Sequence, residues 1–192
     1  MTTGARPSQA GATMQTVATS ETSARDRFEA VFEAEFSYVW TSLRRLGVYE
    51  RDAEDVAHEL FMEVFRRFAS YDEARPIRPW LFAFAFRFAS DYRRLSRHRV
   101  EVLAEHEAEE PFPRADDVLI AKDAQRMILA ALEKIDVDRR AVFILHELDE
   151  CPMSEIAKTL SLPVNTAYSR LRLARAEFQQ AIGRLAKTEA PR

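Results

Sequence analysis

From Arg25 onward, apolar and polar positions recur with a helical period. Phe28, Val31, Phe32, Phe36, Val39, Trp40, Leu43 and Leu46 fall on one face, and Gly47 ends the run. A second helix opens near Asp52, whose carboxylate suits a helix N-terminus. It carries Val56, Leu60, Phe61, Val64, Phe65 and Phe68 on its apolar side. Residues 71–78 read as a loop, with Pro76 and Pro79 bounding its end, and a third helix is predicted from about Pro79 to Arg97. A second helical set covers Val118 to Ile135, Asp138 to Leu148, and a helical pair that extends to about Leu185. One passage pulls the other way: Phe82, Phe84, Phe86 and Phe88 alternate with period two, the signature of a strand. The intervening Ala83 and Ala85, and the lack of a nearby pairing strand, favour a helix.

The helical pair is the most informative stretch. In EIAKTLSLPVNTAYSRLRLAR, Ile156, Ala157 and Leu160 make the apolar face of a short first helix. Leu162 plugs the corner, and Pro163 restarts the chain where its missing N–H costs nothing. The second helix keeps Ala167, Leu171 and Ala174 on one face and sets Ser169, Arg170, Arg172 and Arg175 on the other. This is the pattern of a helix-turn-helix, a bracing helix followed by one with donors to enter a major groove.

The expected fold class is all-α: two small helical domains joined by a flexible acidic linker, the C-terminal one a helix-turn-helix. The divisions are a disordered tail over 1–24, a helical domain over 25–100, a linker over 101–117, a second domain over 118–186 and a short tail over 187–192. The tail at 1–24 is poor in large apolar groups, too poor to offset the entropy of ordering. The linker gathers Glu101, Glu105, Glu107, Glu109, Glu110, Asp116 and Asp117 around Pro111 and Pro113. A formal net charge of −3 excludes a generally basic nucleic-acid coat, so the basic residues act by their placement. Cys151 is the only cysteine, which excludes an internal disulfide and a cysteine zinc site; a buried, inert thiol is expected. No signal-peptide core appears, and the most apolar run, Trp80 to Phe86, is too short to span a bilayer. A soluble protein of the cytoplasm, without membrane insertion, is the expectation.

Two further constellations bear on chemistry. On a helix, Leu81, Phe84, Phe88, Tyr92 and Leu95 share one face, expected in the core, and Phe82, Phe86, Ser90, Arg93 and Arg97 share the opposite one. Aromatic rings interleaved with arginines are the elements of a single-strand platform, where bases stack and guanidinium groups hold phosphates. The alternative is that these rings pack under the 71–78 loop. Asp52, Asp55, Glu59 and Glu63 form a carboxylate stripe, suited to a basic partner helix or simply solvated. Asp55 and His58 also make an acid–histidine pair, but no second copy exists for a di-metal site, and no glycine-rich phosphate loop is present. Neither an enzyme nor a metal or other cofactor is expected.

At this point the residues resemble a known family, the extracytoplasmic-function sigma factors of bacterial RNA polymerase, over roughly Phe28 to Leu185. DAEDVAHELFMEVFRRFASYD is similar to the family's polymerase-docking helix, RPWLFAFAFRFASDYRRLSRHR to its −10 element reader, and DRRAVFILHELDECPMSEIAKTLSLPVNTAYSRLRLARAEF to its −35 element reader. The resemblance implies that Asp52, Asp55, His58, Glu59 and Phe61 contact the clamp helices of the polymerase's largest subunit, and that the C-terminal domain meets its flap. It implies that the 71–78 loop and Arg87, Asp91 and Arg94, with Phe82, Phe86, Ser90, Arg93 and Arg97, hold the melted −10 strand. Thr166, Tyr168, Ser169, Arg170, Arg172 and Arg175 would read or grip the −35 duplex. The acidic linker would thread toward the RNA exit path, and an anti-sigma partner is a family expectation. His58 stands where the family usually has Gln, Phe86-Arg87 where Arg-Asn is common, and Ser161 and Asn165 where glycines are usual. A turn that needs positive φ would carry strain at Ser161. Tyr168 and Leu173 replace basic residues. A rival of another class is a one-component transcriptional regulator whose aromatic domain binds a ligand or dimerises.

Overall fold

The computed structural model describes the backbone of residues 10–102 and 119–189, and the side chains of residues 25–95 and 124–187. Among these, every regular element is helical. The first half comprises α1 (Ala10–Leu46), α2 (Glu50–Arg67), a short 3-10 turn (Phe68–Ser70) and α3 (Ile77–Val102). The second comprises α4 (Leu119–Glu133), α5 (Val137–Phe143), a π-helical turn (Ile144–Leu148), α6 (Met153–Thr159) and α7 (Val164–Glu189). The Phe82–Phe88 alternation therefore lies on a helix. The acidic linker falls almost entirely outside the described residues.

The boundaries follow local chemistry. Gly47 ends α1 with φ +100°, in the left-handed region where glycine carries no penalty. Glu50 and Asp52 sit in the first turn of α2 and Arg66 and Arg67 in its last, each sign matching the helix dipole. Asp136 caps α5, its Oδ1 accepting the Asp138 N–H at 3.1 Å. At the other end, α1 runs back to Ala10, through residues 10–24, where the sequence pattern predicted a tail without structure. That stretch contains alanine, methionine and glutamine, and no proline, so a helix anchored by the packed Phe28–Leu46 segment can propagate into it.

α1 is the spine of the molecule. It packs on α2 and α3 within the first half and on α4 and α5 of the second, while α3 also meets α6. One contiguous set of buried residues runs through both halves, from Val39, Leu43 and Leu60 to Leu132, Ile144, Ile156 and Leu171. An aromatic cluster closes the α1–α2 end: Phe28 lies 4.9 Å from Phe65 and 5.7 Å from Phe68, and Phe32 lies 4.9 Å from Phe61. Edge-on ring pairs of this kind each contribute about 0.5–1.5 kcal/mol beyond their buried area.

The seam between the halves is polar as well as apolar. Tyr38 donates to Asp149 Oδ2 at 2.7 Å, and Arg45 donates to Oδ1 of the same carboxylate at 3.3 Å. Arg75, in the loop before α3, pairs with Glu155 of α6. Arg140 is fully buried; its Nη1 donates to Leu46 O and its Nη2 to Ile135 O, both at 2.9 Å. It therefore caps the carbonyl end of α1 from the opposite half. Burial, with Arg93 nearby, lowers its pKa to about 10, which still leaves it charged at neutral pH. Cys151 is buried and its thiol is pushed up to about 11 by desolvation, matching the expected inert role.

Candidate nucleic-acid and polymerase interfaces

The helix-turn-helix forms as the residues dictate. Leu162 N–H bonds Ala157 O at 2.9 Å and Ser161 N–H bonds Lys158 O at 3.2 Å, which closes the corner. Ser161 adopts φ +52°, so the turn does need the left-handed conformation and a non-glycine residue occupies it. Ala167, Leu171 and Ala174 are buried against the rest of the half, and Tyr168, Ser169, Arg172 and Arg175 are exposed. Thr166 and Arg170 are half-buried.

The arginines of α7 differ in freedom. Arg170 pairs with Asp138 at 3.1 Å, and Arg175 Nε donates to Glu147 at 2.8 Å. Against the upward push of desolvation, Arg175 and His146 hold the Glu147 carboxyl below its ordinary range. Arg172 makes no ion pair or hydrogen bond among the described residues, and its side chain is exposed. Tyr168 and Leu173 flank it, 57% and 40% exposed.

In the first half, Asp55, His58 and Glu59 lie exposed along α2, as the stripe predicts. Asp52 is half-buried and accepts the Tyr92 hydroxyl. His58 Nδ1 lies 2.9 Å from Glu54 O, and its ring leans on Phe36 at 5.1 Å. No group of three His, Cys, Asp or Glu side chains that could hold a metal occurs among the described residues. Phe61 does not join this surface: it is 2% exposed, on the same face as Ala57, Leu60 and Val64, and serves the core. The apolar groups that α2 does present are Met62 and Phe65, 61% and 52% exposed. Phe65 was expected inside. Met62 follows Asp55 and Glu59 at spacings of seven and three residues, and that periodicity was the signal available for it.

The aromatic platform on α3 needs a larger correction. Phe82 is fully buried, Phe86 half-buried, and Ser90 turns its hydroxyl to Phe86 O at 2.7 Å. Arg93 has a buried Nε without a hydrogen-bond partner and lies against Gly47 beside Arg140. The cause is that α3 is covered by α1, α2 and α6 together, so no wide outward face remains. Leu95, placed with the core face by periodicity, is 61% exposed instead. The Arg97 side chain lies outside the described residues.

What α3 exposes lies toward α2. Arg87, Asp91 and Arg94 are exposed, and Arg87 sits over the rings of Phe84 and Phe88 at 5.4 and 5.6 Å. Glu59, Met62, Glu63, Arg66, Arg87, Phe88 and Asp91 line an open groove of about 590 Å³ between the two helices. Hydrogen bonds from Arg66 and Arg67 hold the Glu63 carboxyl below its usual range. Arg87 is loosely tethered there, 3.8 Å from Glu63. α3 starts at Ile77, so the loop expected over 71–78 ends at residue 76, and it is preformed: Asp72 Oδ1 accepts the Ala74 N–H at 3.0 Å, and the Tyr71 and Trp80 rings meet at 4.9 Å.

Residues 31–99 match the family model for sigma-70 region 2, and residues 125–187 match that for sigma-70, region 4. The chain is 27% identical over 174 residues to the ECF RNA polymerase sigma factor SigE of Mycolicibacterium smegmatis, covering 87% of this chain and 66% of that protein. It is 28% identical over 146 residues to the ECF RNA polymerase sigma factor SigL of Mycobacterium tuberculosis, covering 76% and 82%. The fold is similar to CnrH in complex with the cytosolic domain of CnrY (TM-score 0.60, 23% identity, 86% and 91% covered). It is also similar to the sigma factor RpoE of Bartonella quintana in complex with the anti-sigma factor NepR (TM-score 0.65, 18% identity, 82% and 97% covered). No described helix is long and apolar enough to cross a membrane. With both regions matched in order, the chain belongs to the sigma-70 family, in its extracytoplasmic-function class.

Proposed function

We propose that this chain directs core RNA polymerase to specific promoters, docking through α2 and reading the −10 and −35 elements with its first and second halves. The observation that carries this is the pairing of two separate open surfaces, Asp55–Glu59–Met62 on α2 and Tyr168–Ser169–Arg172 on α7. It contributes recognition and no catalysis, and acts in the bacterial cytoplasm where the polymerase works. The 71–78 loop, Arg87, Asp91 and Arg94 hold the melted −10 strand, whose extruded base costs a few kcal/mol that stacking and polymerase contacts offset. A lone helix-turn-helix buries only about 600–1,000 Å² on DNA, so tethering to the polymerase supplies the missing affinity through effective concentration.

Simultaneous reading requires the halves to part. Elements roughly 25 base pairs apart span about 80 Å of duplex at 3.4 Å per pair, whereas a compact chain of this length has a radius of gyration of about 16 Å. Residues 25–100 and 118–186 act as two modules, with residues 101–117 as the strap that lets them separate. An anti-sigma factor, the kind of partner held by the Bartonella quintana relative, binds the closed form.

Pull-down and in vitro transcription test this together. Arg172→Ala should weaken promoter binding and spare core-polymerase capture, and Asp55→Ala should do the reverse. Equal loss of polymerase capture in both would refute the division of labour. Duplex binding as an isolated dimer, unaffected by core enzyme, would favour a one-component regulator instead.

A further inference from the structure

The outward face of α7 is unusually apolar for a helix that enters a major groove. Of its three central arginines, two are already engaged, Arg170 by Asp138 and Arg175 by Glu147. Arg172 alone is left to reach outward, and the side chains beside it are Tyr168, 57% exposed, and Leu173, 40% exposed. The main packing partners of α7 are α4, α5 and α6, and with these in place Tyr168 and Leu173 are still exposed in the closed chain.

An exposed tyrosine ring and a leucine on a polar helix face gain nothing from water. In a major groove the apolar feature available to them is the C5 methyl of thymine, while guanine offers acceptors that suit arginine. Tyr168 and Leu173 are five residues apart, about 7.5 Å along the axis at 1.5 Å per residue. That is on the order of two base-pair steps at 3.4 Å each. We propose that Tyr168 and Leu173 are specificity residues that each pack on a thymine methyl of the −35 duplex, at pairs about two steps apart. The inference rests on the promoter-reading function proposed above and gives it a base preference: A·T pairs at those two positions. The leucine, which has no donor, also leaves a guanine's acceptors unmet, which disfavours G·C at its position.

The experiment uses the full chain with core polymerase on a promoter selected from a random library, with each −35 thymine replaced in turn by deoxyuridine. Losing one buried methyl should weaken holoenzyme binding about three- to fivefold, at two positions and not elsewhere. In Leu173→Ala the loss should vanish at one of them, and in Tyr168→Ala at the other. Retained core-polymerase capture shows that each variant is folded. If the holoenzyme selects a promoter but uracil is tolerated throughout the −35 element, or if both variants keep the wild-type uracil pattern, the thymine assignment is wrong while the sigma function stands. If the variants lose capture of an anti-sigma protein and keep the uracil pattern, the face belongs to a protein partner and the assignment is again wrong. If no promoter is selected at all, the underlying function falls, and this inference with it.

Discussion

Tyr38 on α1 donates its phenolic proton to Asp149, 2.7 Å away across the seam, in the turn that follows the π-helical end of α5. Arg45 holds the other oxygen of the same carboxylate. A hydrogen bond to a charged group contributes about 1.5–3 kcal/mol, enough to shift a closed–open equilibrium by roughly tenfold or more. Tyr38→Phe keeps the ring and deletes the bond, so it should raise the open population. Fluorophores at the exposed positions Glu54 and Gln180 would report it as a longer mean separation. An unchanged distance distribution would show that Arg140 and Arg75 hold the halves without help.

The same carboxylate sets a pH dependence. Desolvation pushes Asp149 above its ordinary value of 3.8, against the opposing pull of Tyr38, Arg45 and Arg78. An acid whose pKa is raised in the closed form favours closure when protonated. Its contribution is complete below 3.8 and is lost as the pH climbs through the raised value. Opening should therefore increase with pH across that interval, and Asp149→Asn, permanently neutral, should flatten this part of the curve. Fluorescence titration of the two proteins side by side makes the comparison. Identical curves would place the titration on another group.

Much of this was legible in the residues. The helix-turn-helix, the exposed carboxylates of α2, the all-helical class and the strain at Ser161 follow from local periods and turn chemistry, which the chain expresses within a few residues of each site. The failures share one physical origin. Periodicity says which positions are apolar, but not how many neighbours cover a helix. α3 carries apolar residues on both sides because α1, α2 and α6 enclose it, so Phe82 is core rather than platform. Arg93 falls on the outward face by periodicity and nothing in the pattern marks Arg140, yet a guanidinium can be drawn inward by backbone carbonyls such as Leu46 O that only the packed fold brings near. Phe61 and Phe65 are four residues apart on one helix, and tertiary packing decides that the first is covered and the second half open.

Gly47 is where these buried cations meet the backbone. Its φ of +100° excludes most side chains, and a Cβ there would stand 2.7 Å from Arg140 Nη1 and closer still to Arg93 Nη1. Arg140 cannot swing away without abandoning the carbonyls of Leu46 and Ile135. Gly47→Ala should therefore destabilise the closed chain by about 1–3 kcal/mol. For a protein of this size that lowers the melting midpoint by roughly 2–4 °C per kcal/mol. Thermal melting followed by circular dichroism checks it, and a midpoint unchanged within 1 °C or so would mean the α1–α2 corner relaxes freely.

Phe61 and Met62 are adjacent in sequence and opposite in role, which separates folding from docking in a single pair of variants. Phe61 is enclosed by Phe28, Phe32 and Phe36, with centroids 6.4, 4.9 and 5.9 Å away, so Phe61→Ala opens a cavity in the α1–α2 core. Deletions of this kind cost about 3–5 kcal/mol, and a large fall in melting midpoint is expected. Met62 is mostly in solvent, beside Glu59 in the groove facing α3, so Met62→Ala should leave the midpoint nearly unchanged. Because an exposed thioether on a docking helix is a contact waiting for an apolar partner surface, the same variant should weaken core-polymerase capture. A Met62→Ala protein that melts normally and captures core enzyme at wild-type strength would remove the apolar part of the α2 surface from the interface, leaving Asp55 and Glu59 to account for docking by charge alone.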